Sequence, residues 1–239
     1  MNGKKRISGE WAYVLSILIM SLSVAIVAAA DFGVSMIVAP AYILSLKVPA
    51  LSFGQCEYIV QGLLLLVFCL LMRRVKPLYF TAFITCLLYG AALDLWRGLI
   101  PILNPSVTPP GSMAMPLRIL FFAVGTVITA LAVAFCFKTY LYPQVYDFFV
   151  KGVSQHFRLD RTKFKIVYDT ASLGLSVAMT LLLFGRFRGI GVGTLITTCV
   201  NGLLIGFFDR FLDRHFTFAP RFPALARRFS LEDEAKGQA

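Results

Sequence analysis

The stretch that decides the fold is residues 11–30, which read WAYVLSILIMSLSVAIVAAA. It carries no charge, and about 20 apolar residues are what an α-helix needs to cross a bilayer. Five further runs of similar length follow: Phe53–Met72, Pro77–Trp96, Ile119–Phe137, Phe164–Gly185 and Gly189–Phe208. The sequence therefore predicts an all-α integral membrane protein with six transmembrane helices.

The composition points to the same class of protein. Apolar residues make up 58% of the 239 residues and charged residues 15%, against roughly 45–50% and 25% in soluble domains. These values exclude an ordinary soluble enzyme and a disordered chain. The net charge of +11 comes from basic residues that flank the apolar runs. It indicates orientation in a membrane, and no nucleic-acid partner is expected.

The distribution of basic residues predicts the orientation. Most Lys and Arg residues fall on one side if both termini are cytoplasmic. We therefore predict a multi-pass protein of the bacterial plasma (inner) membrane. Its cytoplasmic N-terminus is residues 1–10, its external Pro-rich loop is 98–118, and its cytoplasmic basic and aromatic tail, expected to contact membrane lipid, is 212–239.

The first span has an alternative interpretation. Lys4, Lys5 and Arg6, the apolar stretch and the alanines at 28–30 are also typical of a secretory signal peptide with its cleavage site. The apolar stretch is longer than the core of an ordinary signal peptide, which favours a retained span.

Two long connections, 31–52 and 138–162, each contain a short semi-apolar stretch, at 36–44 and 145–150. Neither stretch is long enough to span a bilayer, so each predicts a short interfacial or re-entrant helix. Ser35 is the expected N-cap of the first, and Pro143 suits the first turn of the second.

The order of elements therefore occurs twice: a span, a short helix and two more spans. We predict two three-helix repeats, residues 11–97 and 119–211, offset by about 108 positions. Because each repeat has an odd number of spans, the second is inverted relative to the first. Inverted repeats are common in secondary transporters, whose binding sites lie where the repeats meet.

Polar residues inside the spans are the candidate site lining. Glu57 and Gln61 are four residues apart on one helix, and Lys165 and Asp169 are four apart at the matching place in the second repeat. The two carboxyl groups are expected to face a central site from opposite sides and are candidates for binding a coupling proton. The alternatives are helix capping for each pair and, for Lys165, extension of its amine to the headgroups.

Asn201 lies in the middle of the sixth span and is the last candidate. It shares a polar stripe with Thr194, Thr197 and Thr198. The nearby glycines are expected to let another helix approach closely; they are Gly189, Gly191, Gly193, Gly202 and Gly206. This stripe favours helix packing over substrate binding. The carboxylates at span ends, Asp31, Asp94 and Asp209, are expected to be solvated or paired with neighbours such as Arg97 and Arg210.

Catalytic and cofactor motifs are absent from the sequence. It contains no phosphate-binding G-x-x-x-x-G-K-[ST] and no H-E-x-x-H, and its two histidines lie outside the apolar runs. The five cysteines all fall within apolar runs without C-x-x-C spacing, which indicates neither disulfides nor zinc. We expect no catalytic residue, metal or cofactor, and hence no enzyme.

Three short motifs resemble one family. They are Asp31-Phe32-Gly33-Val34-Ser35, Leu51-Ser52-Phe53-Gly54-Gln55 and Gly191-Val192-Gly193-Thr194-Leu195. The chain is similar in these segments to the YczE/YitT-like membrane proteins of bacteria, which are largely of unknown function. The resemblance implies a multi-pass membrane fold, in which Asp31, Gly33, Ser35, Gly54, Gln55, Gly193 and Thr194 are the motif residues, and it implies no particular chemistry.

Two functions fit these observations. The first is a small-molecule permease or exporter-like protein of unknown substrate, working as a possible homodimer. The alternative is a non-transporting membrane subunit or scaffold, such as a substrate-binding subunit that docks onto an ATP-driven complex.

Overall fold

The computed structural model describes residues 5–73, 75–76, 79–141 and 144–222. Its elements in chain order are β1 (Lys5–Ser8), α1 (Gly9–Ala30), α2 (Ala39–Lys47), α3 (Phe53–Met72), α4 (Tyr79–Leu99), a 3-10 turn (Pro101–Leu103), α5 (Met115–Phe137), α6 (Val145–His156), α7 (Arg161–Phe184), α8 (Val192–His215) and β2 (Phe216–Ala219). Six of these helices, all except α2 and α6, are long and apolar enough to cross a membrane. The predicted number of spans is therefore confirmed.

Local capping explains where the span boundaries differ from the prediction. α3 has the predicted bounds because Ser52 and Gln55 form a capping box at its start. α7 begins three residues early because the Asp160 side chain accepts a hydrogen bond from the Lys163 amide. α8 begins three residues late because Gly189 has a φ of +80° and cannot belong to the helix. Pro77 and Pro143 lie outside the described residues.

The chain is not entirely helical, which corrects the all-α prediction. β1 pairs in parallel with β2, with Lys5 opposite Phe216 and Ser8 opposite Ala219. The Glu10 carboxylate reinforces this pairing by accepting hydrogen bonds from the amides of Arg221 and Phe222. We call the end of the helix bundle that carries this sheet the terminal end, and the opposite end the loop end. The tail residues 223–239 lie outside the described residues.

α1 is the central helix of the bundle and packs against α4 on one side and α5 on the other. The largest apolar cluster joins α1 to α2, α3 and α4. A second cluster, centred on Phe68, Tyr79 and Phe148, joins α3, α4 and α6. α8 is attached mainly through α5.

The described residues between α5 and α7, 138–141 and 144–156, form a re-entrant hairpin. It starts at the terminal end, where the Tyr140 hydroxyl donates to Glu10 in the first turn of α1. At Gln144 it lies beside Met20 and Gln61, both near the middle of their helices. α6 then returns toward the terminal end, where Gly152 lies against the Phe68 ring. Of the interfacial and re-entrant alternatives, these contacts favour the second.

The segment between α1 and α3 forms a shallower hairpin, residues 31–47, at the loop end. Val34 and Val38 line the same cavity as Val24 and Val27 of α1, which lie about 5–9 Å below the end of that helix at 1.5 Å per residue. The Tyr42 hydroxyl then donates to the Ala28 carbonyl as the chain returns.

The expected N-cap of the first short helix is wrong. α2 begins at Ala39 and its N-cap residue is Val38, which makes no side-chain capping bond. The Ser35 carbonyl, not its hydroxyl, accepts from the amides of Val38 and Ala39. Pro40, in the first turn of α2, lacks an amide hydrogen that a cap would otherwise have to satisfy.

The two pairs of consecutive long helices are packed differently. α3 and α4 are in close contact: Gly54 lies against the Gly90 carbonyl, and the Tyr58 hydroxyl donates to the Leu87 carbonyl. α7 and α8 make almost no contact with each other beyond their connecting loop, residues 185–191. They are joined at the loop end and stay apart along the rest of their length, and we call the space between them the groove.

Candidate functional site

Glu57 and Gln61 form a fully buried polar pair on α3. Neither side chain has any exposed surface. The Gln61 side-chain amide donates to Glu57 Oε2 at 2.9 Å, as the i, i+4 spacing predicts. Glu57 Oε1, by contrast, has no hydrogen-bond partner.

The re-entrant hairpin completes the surroundings of this pair. The Tyr146 hydroxyl donates to Glu57 Oε2 at 2.9 Å, and the Val145 amide donates to Gln61 Oε1 at 3.2 Å. The Gln144 side chain accepts from Gln61 Nε2 at 3.3 Å. The first turn of α6 is therefore fastened to the middle of α3 by three hydrogen bonds, which hold the hairpin in place.

Lys165 and Asp169 form the second polar pair, on α7. Lys165 Nζ lies 3.6 Å from Asp169 Oδ1 and 3.8 Å from Asp147 Oδ1 of α6. At these distances the groups form ion pairs and not tight hydrogen bonds, so Asp169 Oδ1 has no hydrogen-bond partner. Lys165 and Asp147 are each more than two-fifths exposed, and the cluster joins α6 to α7 at the surface.

The two pairs lie on either side of α6. Tyr146 contacts the Glu57 pair, and the next residue, Asp147, contacts the Lys165 pair. No Glu57–Lys165 ion pair occurs among the described residues. That the carboxyls flank a central substrate site remains a prediction.

Asn201 lines a small cavity between α1, the 31–38 segment, α5 and α8. The cavity walls are formed by Val24, Val27, Val34, Ser35, Val38, Thr126, Thr129, Thr197 and Asn201. The space open to the centre of a water molecule is about 20 Å³, enough for one water. Asn201 Oδ1 is buried without a partner, so it is a suitable acceptor for that water.

The glycines near the polar stripe differ in their surroundings. A side chain at Gly202 or Gly206 would meet nothing within 4 Å, so no helix of the described chain approaches there. At Gly193 another helix does approach, through the Phe122 ring of α5, and both Gly191 and Gly193 lie against the Phe32 carbonyl.

The motifs at residues 31–35 and 191–195 are in direct contact with each other. The Gly193 amide donates to the Phe32 carbonyl at 2.9 Å, and the Thr194 hydroxyl donates to the Val34 carbonyl at 2.7 Å. Gly33 has a φ of +101°, and a Cβ there would lie 2.5 Å from the Gly191 nitrogen. Only glycine fits at this position. The two motifs therefore fasten the loop-end hairpin to the start of α8.

The remaining motif, Leu51–Gln55, joins α3 to α4. The Asp94 carboxylate accepts hydrogen bonds from the Ser52 hydroxyl and the Gly54 amide, and Gln55 completes the capping box by accepting from the Ser52 amide. A carboxylate at a helix N-terminus satisfies free amides and interacts favourably with the helix dipole. Asp94 is only partly buried, and its carboxylate caps the start of α3 instead of pairing with Arg97, the neighbour that had been expected.

The other span-end carboxylates have partners that are distant in sequence. Arg118 lies 3.4 Å from Asp31 and also donates to the carbonyls of Ala30 and Asp31, which joins α1 to α5. Burial raises the pKa of Asp31, although Arg118 and Arg188 act in the opposite direction. Asp209 pairs with Lys138 at 2.6 Å instead of with Arg210.

Sequence reasoning missed Tyr89, Gln144 and Tyr146 around the Glu57 pair, and Asp147 beside the Lys165 pair. The folding of the hairpin or the packing of α4 brings each of them there, and spacing along a single helix does not predict such contacts. The available signal was the polar start of the second short helix, which carries a tyrosine and a carboxylate in an otherwise apolar segment. Among the described residues no group of His, Cys, Asp or Glu is arranged to hold a metal ion, and the five cysteines are free thiols.

Comparison with known proteins gives the family. The chain is 29% identical over 214 residues to the uncharacterised protein YyaS of Bacillus subtilis (strain 168), a match that covers 85% of this chain and 94% of the relative. No solved structure matches it. Residues 7–210, which include all three motifs and both polar pairs, match the model of a family of unknown function, DUF6198. The chain belongs to the DUF6198 family.

Proposed function

We propose that this chain is a small-molecule permease or exporter-like membrane protein, built from two inverted three-helix repeats. If helices α1 to α4 are exchanged in order with helices α5 to α8, the contact between α1 and α4 becomes the contact between α5 and α8. The contact between α2 and α3 becomes that between α6 and α7, and the contact between α2 and α7 becomes that between α6 and α3. Contacts that survive such an exchange support related repeats, and the two re-entrant hairpins, one in each half, support them further.

One observation carries the transport proposal: the α3–α4 pair is closed while the equivalent α7–α8 pair is open. In a transporter made of inverted repeats, one pathway closes as the other opens. Two equivalent helix pairs in different states are what such a cycle produces. In this proposal the charged cluster of Asp147, Lys165 and Asp169, which joins α6 to α7, gives that pathway a polar wall.

The remaining assignments follow from the charge distribution. In this proposal the protein lies in the bacterial plasma membrane with both termini in the cytoplasm, so the groove opens inward. Membrane lipid surrounds the exposed apolar faces of the helices. α7 and α8 provide the surface for a possible homodimer. The protein performs no catalysis and binds no nucleic acid. The likeness to YczE/YitT-like proteins is proposed as a distant relationship.

Transport is tested with the purified chain in vesicles loaded with a mixture of labelled bacterial metabolites. We expect selective loss of at least one compound. We also expect this loss to stop when cysteines placed at Val167 and Phe207, in an otherwise cysteine-free chain, are joined across the groove by a bifunctional reagent. Equal loss from protein-free vesicles would contradict transport.

The alternative function has its own readout. A stable ATPase that co-purifies with the chain, together with absence of flux by the chain alone, would favour a non-transporting subunit or scaffold. Orientation is tested by reporter fusions: one at Val107 should be active only outside, and one after Gln238 only in the cytoplasm.

A further inference from the structure

Glu57 is a buried carboxyl group without a counter-ion. It has no exposed surface, and among the described residues no Lys, Arg or His lies within ion-pairing distance of it. An uncompensated anion in a buried site inside a bilayer costs several kcal/mol, and a carboxyl group avoids this cost by carrying a proton.

The groups that face Glu57 from each neighbouring element are neutral at ordinary pH. They are Gln61 and Cys56 on α3, Cys86 and Tyr89 on α4, Gln144 and Tyr146 on the re-entrant hairpin, and Tyr168 on α7. The charged groups next to this shell are Asp147 and Asp169, which act on Tyr168 and are both ion-paired with Lys165. Asp94 and Arg97, of opposite charge, act on Cys56. Among the described residues none of these groups forms an ion pair with Glu57.

The hydrogen bonds around Glu57 are arranged for one proton on one oxygen. Oε2 accepts from both Gln61 and Tyr146, whereas Oε1 accepts from no group. The Tyr89 hydroxyl is also buried without a partner and lies within electrostatic range of Glu57. The two atoms are not hydrogen-bonded to each other. A hydroxyl on Oε1 would supply a donor that reaches the Tyr89 oxygen through one bridging water.

We propose that Glu57 is a proton-binding site, occupied on Oε1 in this conformation and closed by the re-entrant hairpin. Release breaks the Oε1–H bond and passes the proton to water. It requires the first turn of α6 to withdraw from α3, because Gln144, Val145 and Tyr146 cover the site. The proton site stands on its own geometry, whereas its use as the coupling ion for solute movement rests on the proposed function.

The proton is detected directly by infrared spectroscopy of the protein in lipid nanodiscs at neutral pH. We expect the carbonyl stretch of a protonated carboxylic acid, shifted in heavy water and absent from Glu57→Gln. The matched control is Glu10→Gln, which should keep the band because Glu10 accepts from two backbone amides and Tyr140 and is held ionised. Absence of the band from the wild type, or its persistence in Glu57→Gln, would overturn the proposal.

A second variant covers the case in which Glu57→Gln does not fold. Tyr146→Phe removes one donor to Oε2 and should shift the frequency of the band without abolishing it. An unshifted band would mean that the protonated group is not Glu57. The two proposals fail separately: flux without the band contradicts the proton site alone, and the band without flux contradicts the transport proposal alone.

Discussion

Glu57–Gln61 and Lys165–Asp169 have the same spacing and occupy matching places in the two halves of the chain, yet their surroundings are opposite. The first pair is sealed beneath α6 and hydrogen-bonded to it. The second lies on the other face of α6, ion-paired and partly exposed at the surface. The difference arises because α4 packs on α3 whereas α8 stands away from α7. The spacing of two residues therefore determines whether they lie on the same face of a helix, but the packing of the neighbouring helices determines whether that face is buried or exposed.

The largest expected effect tests the difference between the two helix pairs. A Cβ at Gly54 would overlap the Gly90 carbonyl and the Asp94 carboxylate, so Gly54→Ala should destabilise the fold by about 1–3 kcal/mol or more. The matched control, Gly202→Ala, adds a methyl group where nothing lies within 4 Å. Thermal unfolding in detergent measures both. Equal losses would mean that α7 and α8 are packed together as closely as α3 and α4.

The next effect compares two consecutive residues of α6. Tyr146→Phe removes a buried hydrogen bond to Glu57 and should cost about 1–2 kcal/mol. Asp147→Asn removes only a half-exposed ion pair at 3.8 Å, and screening by solvent limits its cost to about 0–1 kcal/mol. The two midpoints of thermal unfolding should differ in that order. A reversed order would place the buried contact of α6 on α7 instead of on α3.

A pH-dependent effect is expected at the terminal end, where Lys138 joins α5 to α8. Burial alone would lower the pKa of Lys138, but hydrogen bonds and charges from Asp209 and Asp213 outweigh it and raise the pKa. The resulting stabilisation is present below the ordinary pKa of lysine and is lost as pH rises through the raised value. Lys138→Gln should therefore lower stability by about 1 kcal/mol at neutral pH.

The gap in melting temperature between Lys138→Gln and the wild type should narrow in strongly alkaline buffer. A gap that stays constant across this range would show that the charge of Lys138 does not stabilise the fold.

The smallest effect concerns Asp169. Asp169→Asn leaves Lys165 paired with Asp147, so stability should change by less than about 0.5 kcal/mol, while any flux through the groove should fall. Glu57→Gln should likewise leave the melting temperature close to that of the wild type, because the amide replaces a neutral acid, but should flatten the pH dependence of flux. A large loss of stability in Asp169→Asn would assign that residue a purely structural role.

Hydropathy and spacing predicted the six spans, the two short helices and the polar pairs, because these features depend on one segment at a time. The pairing of β1 with β2 was missed because strands of four residues separated by over two hundred positions leave no local periodicity. The partners of Glu57 were missed for a related reason: Tyr146 reaches it only after the hairpin has turned back. The motif glycines were recognised as a pattern, but only the contact between Gly33 and Gly191 explains why glycine is required.

The proposed exchange of open and closed states between the two helix pairs can be measured as distances between spin labels. In a cysteine-free chain in nanodiscs, labels at Val167 and Phe207 report the groove between α7 and α8, and labels at Ile59 and Leu95 report the loop-end contact of α3 and α4. We expect two populations for each pair, with the α7–α8 distance shortening as the α3–α4 distance lengthens between acidic and alkaline buffer. A single unchanging distance for both pairs would contradict the proposed exchange.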